Sequence, residues 1–559
     1  MKPEETPASA AAEPVSPAAN GEKEPSELAL WLAGEVARRS GSSTVDPRQP
    51  IAGCGLDSLA AVEVLHAIEE KTGVTLPLEM LFSEMSIQEV AAQLPAESPA
   101  SAPAATPEPA QKPATVGDFP LSQAQLSLWF LHNLTPESPA YNVPNALRIL
   151  GPLDPARLEG ALQALAERHP ALRTTFVADL VAQGGEPVQR VAEEAGIRLA
   201  VHDAAAWSAA ELDRELAEAS SRPFDLVQGP LARADLYRRS AEESVLLFSL
   251  HHIITDFWSL GVLFDELSAL YDGRPLPAPP PPYSEFTRFQ AGELEGPAGE
   301  VLWEFWAARL AGELPVLDLP TDRPRPPVQR TNGEALRRAL VAERTDDVRA
   351  LAASGATPFM VLLAVFEALL SRYSGQTELL VGTVSAARSR AAFARTAGYF
   401  VNPLVLRADL SRAPGMTRLI ERVREDALGA FTHQDYPFPL LVKRRQPERD
   451  PARSPLFQAM FVLQKAQLGD GQDLTGFALG EPGTRVGLGS LTFEGVPLPQ
   501  KIAQFDLTLT AGEVGGRFIT SFDYNTDLFD EATIARLAGH FERLLAAAAA
   551  EPERLIAEL

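Results

Sequence analysis

The chain has little of several residue types, and each scarcity excludes a class of protein. Among 559 residues there is one cysteine, Cys54, so no disulfide can form within the chain and a disulfide-stabilised secreted scaffold is excluded. Basic residues number 49 against 74 acidic ones, and the formal charge of −25 disfavours nucleic acid as a partner. No run approaches the ~18 apolar residues of a membrane span, and the N-terminus lacks the apolar core of a signal peptide. We therefore expect a soluble, cytoplasmic protein.

Two stretches are rich in proline and alanine and have almost nothing to bury. Residues 1–24 consist mainly of Pro, Ala, Glu and Ser, and residues 97–116 contain five prolines and no aromatic residue. Such a composition favours extended chain over packing. We predict a disordered tail over 1–24 and a semi-rigid linker over 97–116.

The segment between these stretches, residues 25–96, predicts a small all-α helical bundle with one long loop. Its apolar residues recur at helical spacing in three stripes, which are Leu28, Leu32 and Val36, then Leu59, Val62, Leu65 and Ile68, and finally Ile87, Val90 and Leu94.

From residue 117 onward the pattern changes to α/β. Apolar strand-like runs at 244–254, 378–384 and 455–463 alternate with amphipathic helices at 156–169 and 358–373. A single hydrophobic core rarely extends over so many residues. We predict two lobes, residues 117–285 and 286–559.

The first candidate site is a serine at the start of the second helical stripe. Asp57 and Ser58 are both favourable N-cap types, so either could simply cap the helix. Alternatively, a surface serine at the positive end of a helix suits a phosphate diester.

The sequence Gly-Leu-Asp-Ser-Leu at 55–59 resembles the phosphopantetheine attachment motif of carrier proteins, and its local form is closer to polyketide acyl carriers than to peptidyl carriers. The resemblance implies a 4′-phosphopantetheine attached covalently to Ser58 beside Asp57, by a phosphopantetheinyl transferase. Residues 25–96 hold four Lys/Arg and ten Asp/Glu, and acidic helices suit docking to basic enzyme surfaces.

The second candidate site is His251-His252 followed by Asp256, at the end of an apolar run. The histidines could be core residues whose ring nitrogens are hydrogen-bonded within the fold. A metal site lacks further ligands at suitable spacing, and a Ser-His-Asp triad lacks a Gly-x-Ser-x-Gly nucleophile motif. The functional alternative is a histidine base that accepts a proton from an attacking amine.

This segment resembles the HHxxxDG signature of condensation domains of nonribosomal peptide synthetases, which are relatives of chloramphenicol acetyltransferase. Further segments resemble other motifs of that family in the family's order, namely Ser122–Gln125 with Leu128-Trp129, Arg168–Phe176, Gly398–Pro403, His433–Phe438, and Arg449–Asp450 with Arg453–Leu456. The resemblance implies two acetyltransferase-like lobes around a tunnel, with no metal.

The resemblance also implies roles for individual residues. His252, preceded by His251, is the base or substrate-positioning group at the middle of the tunnel. Asp256 is structural and pairs with an arginine, for which Arg388 is the candidate; a solvated surface arginine is the alternative. Phe257 departs from the family's glycine and could narrow the tunnel or weaken activity, whereas Trp258 agrees with the family.

The order of the two units predicts a carrier that presents an acyl, polyketide or peptidyl thioester to the condensation domain, which transfers it to the amine of a downstream aminoacyl carrier to form an amide. The implied partners are an upstream polyketide or peptide synthetase module and downstream carrier and adenylation domains. The alternatives are an epimerisation domain and an inactive docking or recruiting platform. Heterocyclisation is disfavoured because that subtype replaces the histidines.

Overall fold

The computed structural model describes residues 25–40, 43–54, 56, 58–81, 83, 85–95, 115–178, 186–194, 196–353, 355–412, 415–446, 450–465 and 474–559. The predicted tail, almost all of the predicted linker, Asp57 and Arg449 lie outside these residues. Their predictions stand as they were made.

The carrier unit is a helical bundle, as its apolar stripes predict. Its helices are α1 (Glu27–Ser40), α2 (Ser58–Thr72), α3 (Leu78–Leu81) and α4 (Ile87–Ala92). Helix α2 ends where Gly73 takes a positive φ of 73°, which glycine adopts at no steric cost. The single-turn helix α3 was not predicted, because four residues are too few to show a period.

The first part of the α/β region contains a mixed six-stranded sheet and a small antiparallel sheet. Its helices are α5 (Gln123–Leu134), α6 (Pro155–Arg168), α7 (Ala209–Ser220) and α8 (Phe257–Asp272). Its strands are β1 (Gly117–Pro120), β2 (Asn142–Leu150), β3 (Thr174–Ala178), β4 (Pro187–Val191), β5 (Leu199–Asp203), β6 (Ala232–Arg238) and β7 (Glu243–His251). The small sheet has the order β1-β4-β3.

The second part is built on another mixed six-stranded sheet, covered by helices. Its helices are α9 (Tyr283–Glu295), α10 (Pro297–Arg309), α11 (Ala342–Ala352), α12 (Pro358–Ser374), α13 (Met416–Thr432), α14 (Phe438–Arg445), α15 (Thr475–Ala478) and α16 (Glu531–Ala550). Its strands are β8 (Gly333–Ala339), β9 (Glu378–Ser385), β10 (Asn402–Asp409), β11 (Ala459–Leu463), β12 (Arg485–Leu488), β13 (Leu491–Gly495), β14 (Leu507–Val514) and β15 (Arg517–Asn525).

One hairpin from the second part of the sequence pairs with the sheet of the first part. The second sheet has the order β10-β9-β11-β14-β15-β8, whereas β12 and β13 join the first sheet in the order β12-β13-β2-β7-β6-β5. Residues 485–495 therefore cross from the second half of the sequence to the first lobe. The lobe boundary at residue 285 stays a prediction, and the hairpin is too short for its sequence to reveal which sheet it joins.

The long apolar elements that the sequence predicts are buried in the structure, which accounts for their composition. Helix α12 is buried almost all round, and β7 is buried along nearly its whole length. The predicted strand at 455–463 begins only at Ala459, because Leu456 has a φ of 69°, outside the β region. Within the described residues, no helix is long and apolar enough to cross a membrane.

Candidate active site and its contact with the carrier

The histidine pair lies where strand β7 ends and a tight turn leads into helix α8. Strand β7 ends at His251, a single 3₁₀ turn covers His252–Ile254, and α8 starts at Phe257 with Asp256 as its N-cap. Because strand, turn and helix follow each other directly, both histidines and the aspartate are fixed by rigid elements on either side.

His252 is partly exposed and has a defined orientation. Its Nδ1 lies 2.7 Å from the carbonyl oxygen of Thr255. A carbonyl oxygen only accepts hydrogen bonds, so Nδ1 donates, and in the neutral ring Nε2 is left with a lone pair. The ring also meets Tyr399 edge-on, with centroids 4.9 Å apart. This arrangement presents Nε2 as the basic atom of the site.

His251 lies in the core of the first lobe. Its side chain is surrounded by His132, Phe224 and Tyr141, and its Nδ1 accepts a hydrogen bond from the backbone amide of Ile253 at 3.1 Å. Burial lowers the pKa of His251 well below its usual range, so the ring is neutral. This geometry gives His251 a structural position, and its predicted membership of the catalytic pair with His252 stays a prediction.

Asp256 forms a buried ion pair with Arg388. The carboxylate and guanidinium are 3.1 Å apart, and both side chains are at most 1% exposed. Asp256 also accepts the backbone amides of Ser259 at 2.7 Å and Phe400 at 3.1 Å. The burial of Arg388 rules out a solvated surface arginine, and the pair joins α8 to the segment after β9.

The guanidinium of Arg388 also shapes that segment. It donates to the carbonyl oxygens of Phe393 and Thr396, both at 2.8 Å, and to the hydroxyl of Ser259 at 2.8 Å. Residues 389–396 therefore wrap around a side chain that holds Asp256. Removing one partner of such a buried ion pair destabilises the fold, because the other charge stays buried without a counter-charge.

Tyr283, which lies outside the motif segments, supports the site through contacts with residues inside them. Tyr283 donates to the carbonyl oxygen of Tyr399 and shares a 2.9 Å hydrogen bond with Ser122. A Cβ at residue 398 would lie 2.0 Å from the Tyr283 ring, which accounts for Gly398. Tyr399 belongs to a motif segment, whereas Tyr283 has no sequence signal because its partners are distant in the chain.

The motif segments contact one another around the turn. Gln125 donates to the carbonyl oxygen of Ile253 at 3.2 Å. Asn402 donates to the carbonyl oxygens of Gln434 and Tyr436, both at 2.8 Å. The motif segments that contain Gln125, Asn402 and Gln434 therefore brace the loops that position His252 and Asp256.

A cavity of about 340 Å³ lies between the carrier and the start of α8. Its lining includes Phe257 and Trp258 together with Val62, His66 and Glu70 of α2. Among the described residues, His252 does not line this cavity. Phe257, partly exposed, thus stands in the wall at the position where the family has glycine.

Helix α2 supplies the carrier side of this cavity. Val62, His66 and Glu70 are spaced four residues apart and form one row along the helix. Ser58 is the first residue of α2, four residues before Val62. A group attached there would start at the N-terminus of α2, which favours a phosphate, on the helix that lines the cavity. The residues present therefore fit a phosphopantetheine.

Comparison with known proteins agrees with both units. The Condensation domain family matches residues 116–559, and the Phosphopantetheine attachment site family matches residues 31–94. In the described residues, no three His, Cys, Asp or Glu side chains come together as they would around a metal ion.

Curated relatives extend over nearly the whole chain. A linear gramicidin synthase polypeptide of Brevibacillus parabrevis is 40% identical over 519 residues, which is 89% of this chain. Surfactin synthase subunit 1 of Bacillus subtilis (strain 168) is 38% identical over 506 residues, or 90% of this chain. The chain spans only 6% and 13% of the length of these two relatives.

Solved structures share the fold of the larger unit. A holo four-domain nonribosomal peptide synthetase bound to AMP and glycine matches 80% of this chain and 34% of its own, with a TM-score of 0.70 and 25% identity. The X-domain from teicoplanin biosynthesis matches 80% of this chain and 99% of its own, with a TM-score of 0.69 and 27% identity.

Proposed function

We propose that this chain, which belongs to the condensation-domain family of nonribosomal peptide synthetases and carries a phosphopantetheine attachment domain ahead of it, transfers an acyl group from its own carrier to an amine on a downstream carrier. Members of this family form peptide bonds by acyl transfer. The acyl donor, the acceptor and the neighbouring modules of this chain belong to the proposal.

The observation that carries the proposal is the orientation of His252. Because Nδ1 donates to the carbonyl oxygen of Thr255, Nε2 can accept the proton that an amine nitrogen loses as its bond to the acyl carbon forms. The same proton can pass to the thiolate sulfur released when the carbon–sulfur bond breaks, so the base is restored. His252 and the buried Asp256–Arg388 pair would act as the base and its support.

We assign the attachment of the acyl arm to Ser58. Residue 58 starts α2, the helix whose Val62, His66 and Glu70 line the cavity. When bound, a phosphopantetheine supplies the thiol that carries the acyl group as a thioester. The predicted preference for a polyketide-type donor rests on the Gly-Leu-Asp-Ser-Leu sequence and stays a prediction, as do the phosphopantetheinyl transferase, the upstream module and the cytoplasmic location.

The surface of helix α5 supports a downstream carrier as the second partner. Leu126, Phe130 and Leu134 form an exposed apolar row, in which Phe130 is 59% and Leu134 64% exposed. Helix α14 packs against α5 and ends in basic residues, of which Lys443 and Arg444 are exposed. An exposed apolar row on α5, which packs against a helix with a basic last turn, suits an acidic carrier helix as its partner.

The test is single-turnover transfer in the full chain. The carrier is loaded with an acyl-phosphopantetheine, an aminoacyl carrier is supplied, and intact-mass spectrometry follows the acyl group. We expect His252→Ala to slow transfer by about 10²–10⁴-fold, the usual contribution of a general base. The matched control is His540→Ala, because His540 is exposed on α16 and bonds only Tyr373 among the contacts described for it.

The other outcomes separate the alternatives. Efficient loading without transfer, over a range of donors and acceptors, favours the docking or recruiting platform. Inversion of the loaded aminoacyl group without transfer favours the epimerisation domain. Absence of loading would remove Ser58 as the attachment residue.

A further inference from the structure

The carrier contacts the condensation domain through a buried histidine of helix α2. His66 is 6% exposed, and its Nε2 lies 2.6 Å from the backbone carbonyl oxygen of Arg388. Since a carbonyl oxygen only accepts, Nε2 carries the proton and donates it. Burial lowers the pKa of His66, so the donor is a neutral imidazole.

The residue that His66 contacts is the one that holds the active-site aspartate. The backbone of Arg388 faces the carrier, and its guanidinium pairs with Asp256. The His66 ring also meets Trp258 at 69°, with centroids 6.4 Å apart. Trp258 in turn donates to the carbonyl oxygen of Ala394 at 2.8 Å. One side chain of the carrier therefore contacts both elements that the Asp256–Arg388 pair joins.

Two flanking hydrogen bonds fix the same segment to the carrier. The backbone amide of Ala391 donates to the carboxylate of Glu69, and Arg390 donates to the hydroxyl of Thr75, both at 3.2 Å. Both partners are at or beyond the end of α2 that lies away from Ser58. Of the three hydrogen bonds, the one from His66 is the shortest. It is also buried, whereas the bonds of Glu69 and Thr75 are partly or fully exposed.

We propose that His66 is a positioning residue that couples carrier docking to the active site, by holding the segment 388–396 in the conformation in which Arg388 engages Asp256. His66 is eight residues, or about 12 Å along the helix, from the start of α2. The anchor thus fixes helix α2, which starts at Ser58, against the segment that holds Asp256. The inference rests on the proposed function of Ser58 and His252.

The test compares two replacements of His66 whose side chains have similar volumes. In His66→Gln, the amide nitrogen can take the place of Nε2 as donor to Arg388. In His66→Leu, the volume is kept but the donor is lost, so the carbonyl oxygen of Arg388 is left without its partner. Both variants, wild type and His540→Leu as the exposed-histidine control are made in the full chain, loaded, and titrated with an aminoacyl carrier.

We expect His66→Leu to lower the kcat of transfer about tenfold, in line with the loss of one buried hydrogen bond, with the KM for the downstream carrier unchanged. His66→Gln and His540→Leu should stay within about threefold of wild type. Loading at Ser58 should be the same in all four proteins, and a melting temperature that falls by only about 2–4 °C in His66→Leu separates positioning from folding.

Hydrogen exchange in the loaded chain gives a readout that does not depend on transfer. We expect peptides covering residues 388–396 to exchange faster in His66→Leu and as in wild type in His66→Gln. Equal transfer and equal exchange in wild type and His66→Leu would overturn the proposal, as would equal losses in the Leu and Gln variants. Absence of transfer in wild type contradicts the proposed function instead, and the exchange comparison then still decides whether His66 anchors the carrier.

Discussion

At the scale of single residues, Phe257 is the clearest departure from the family pattern. It stands at the first helical position of α8, directly after the N-cap Asp256, and lines the cavity between the carrier and the condensation domain. His252 lies before this N-cap and, in the described lining, outside the cavity. The ring at residue 257 therefore occupies part of the wall of the cavity that faces the carrier.

We predict that Phe257→Gly broadens the range of donors. Transfer of long or branched acyl groups should rise relative to short ones, because the ring no longer occupies the wall of the cavity. The free energy of unfolding should fall mainly by the packing that the ring loses, because residue 257 is the first position of α8 and the glycine penalty applies to helix interiors. The measurement is single-turnover transfer over a series of acyl lengths, with Phe257→Leu as a variant that keeps most of the bulk. An unchanged length profile in the glycine variant would contradict a selecting role.

At the scale of elements, helix α8 carries two buried charges, one at its N-cap and one in its second half. Near its start, Asp256 pairs with Arg388. Farther along, the carboxylate of the fully buried Glu266 accepts hydrogen bonds from Arg168, His169 and the partly exposed Arg395. The segment 388–396 therefore meets α8 at both charges, through Arg388 and Arg395. The second predicted motif, which contains Arg168 and His169, supports α8 rather than the chemistry.

The pKa of Glu266 gives a prediction on pH. Burial alone would raise this pKa, but hydrogen bonds from His169 and Arg168 outweigh burial and hold it at about 2. The unfolded value is about 4.3, so the stabilisation is complete above that pH and is lost as pH falls toward 2. Its size is about 3 kcal/mol.

We therefore expect Glu266→Gln to lower the free energy of unfolding by about 3 kcal/mol at pH 7, since it leaves Arg168 without its carboxylate. The difference from wild type should shrink as pH falls from 5 to 3. Denaturant unfolding at a series of pH values measures it, and Glu513→Gln is the control because Glu513 is a partly exposed surface partner of Arg349. A difference that does not change with pH would contradict the assignment.

At the scale of the whole molecule, the two proposed carrier surfaces lie on different elements. The chain's own carrier contacts the start of α8 and the segment after β9, whereas the exposed apolar row lies on α5.

We predict that Phe130→Asp raises the KM for a downstream carrier about tenfold or more and leaves kcat at saturation near wild type. Steady-state transfer against acceptor concentration measures both constants, with Val328→Asp, 61% exposed on another surface, as the control. A fall in kcat alone would place Phe130 in the support of the active site.

Some features could be predicted because they depend on neighbours in the sequence. The helical bundle, the α/β class and the long elements follow from apolar periodicity, and α6 and α12 lie within one residue of their predicted starts. The end of the apolar strand at the histidine pair was also predicted, whereas the turn at His252–Ile254 and the N-cap Asp256 came from the structure.

Contacts between distant residues were decided by the tertiary structure alone. The pairing of Asp256 with Arg388 was expected only from the family resemblance, and the support from Tyr283 and the contact of His66 with Arg388 had no sequence signal. The crossing of β12 and β13 to the first sheet was equally invisible. Periodicity records which face of an element is buried, but it does not record against what, and a partner hundreds of residues away is chosen only when the packed core brings the two together.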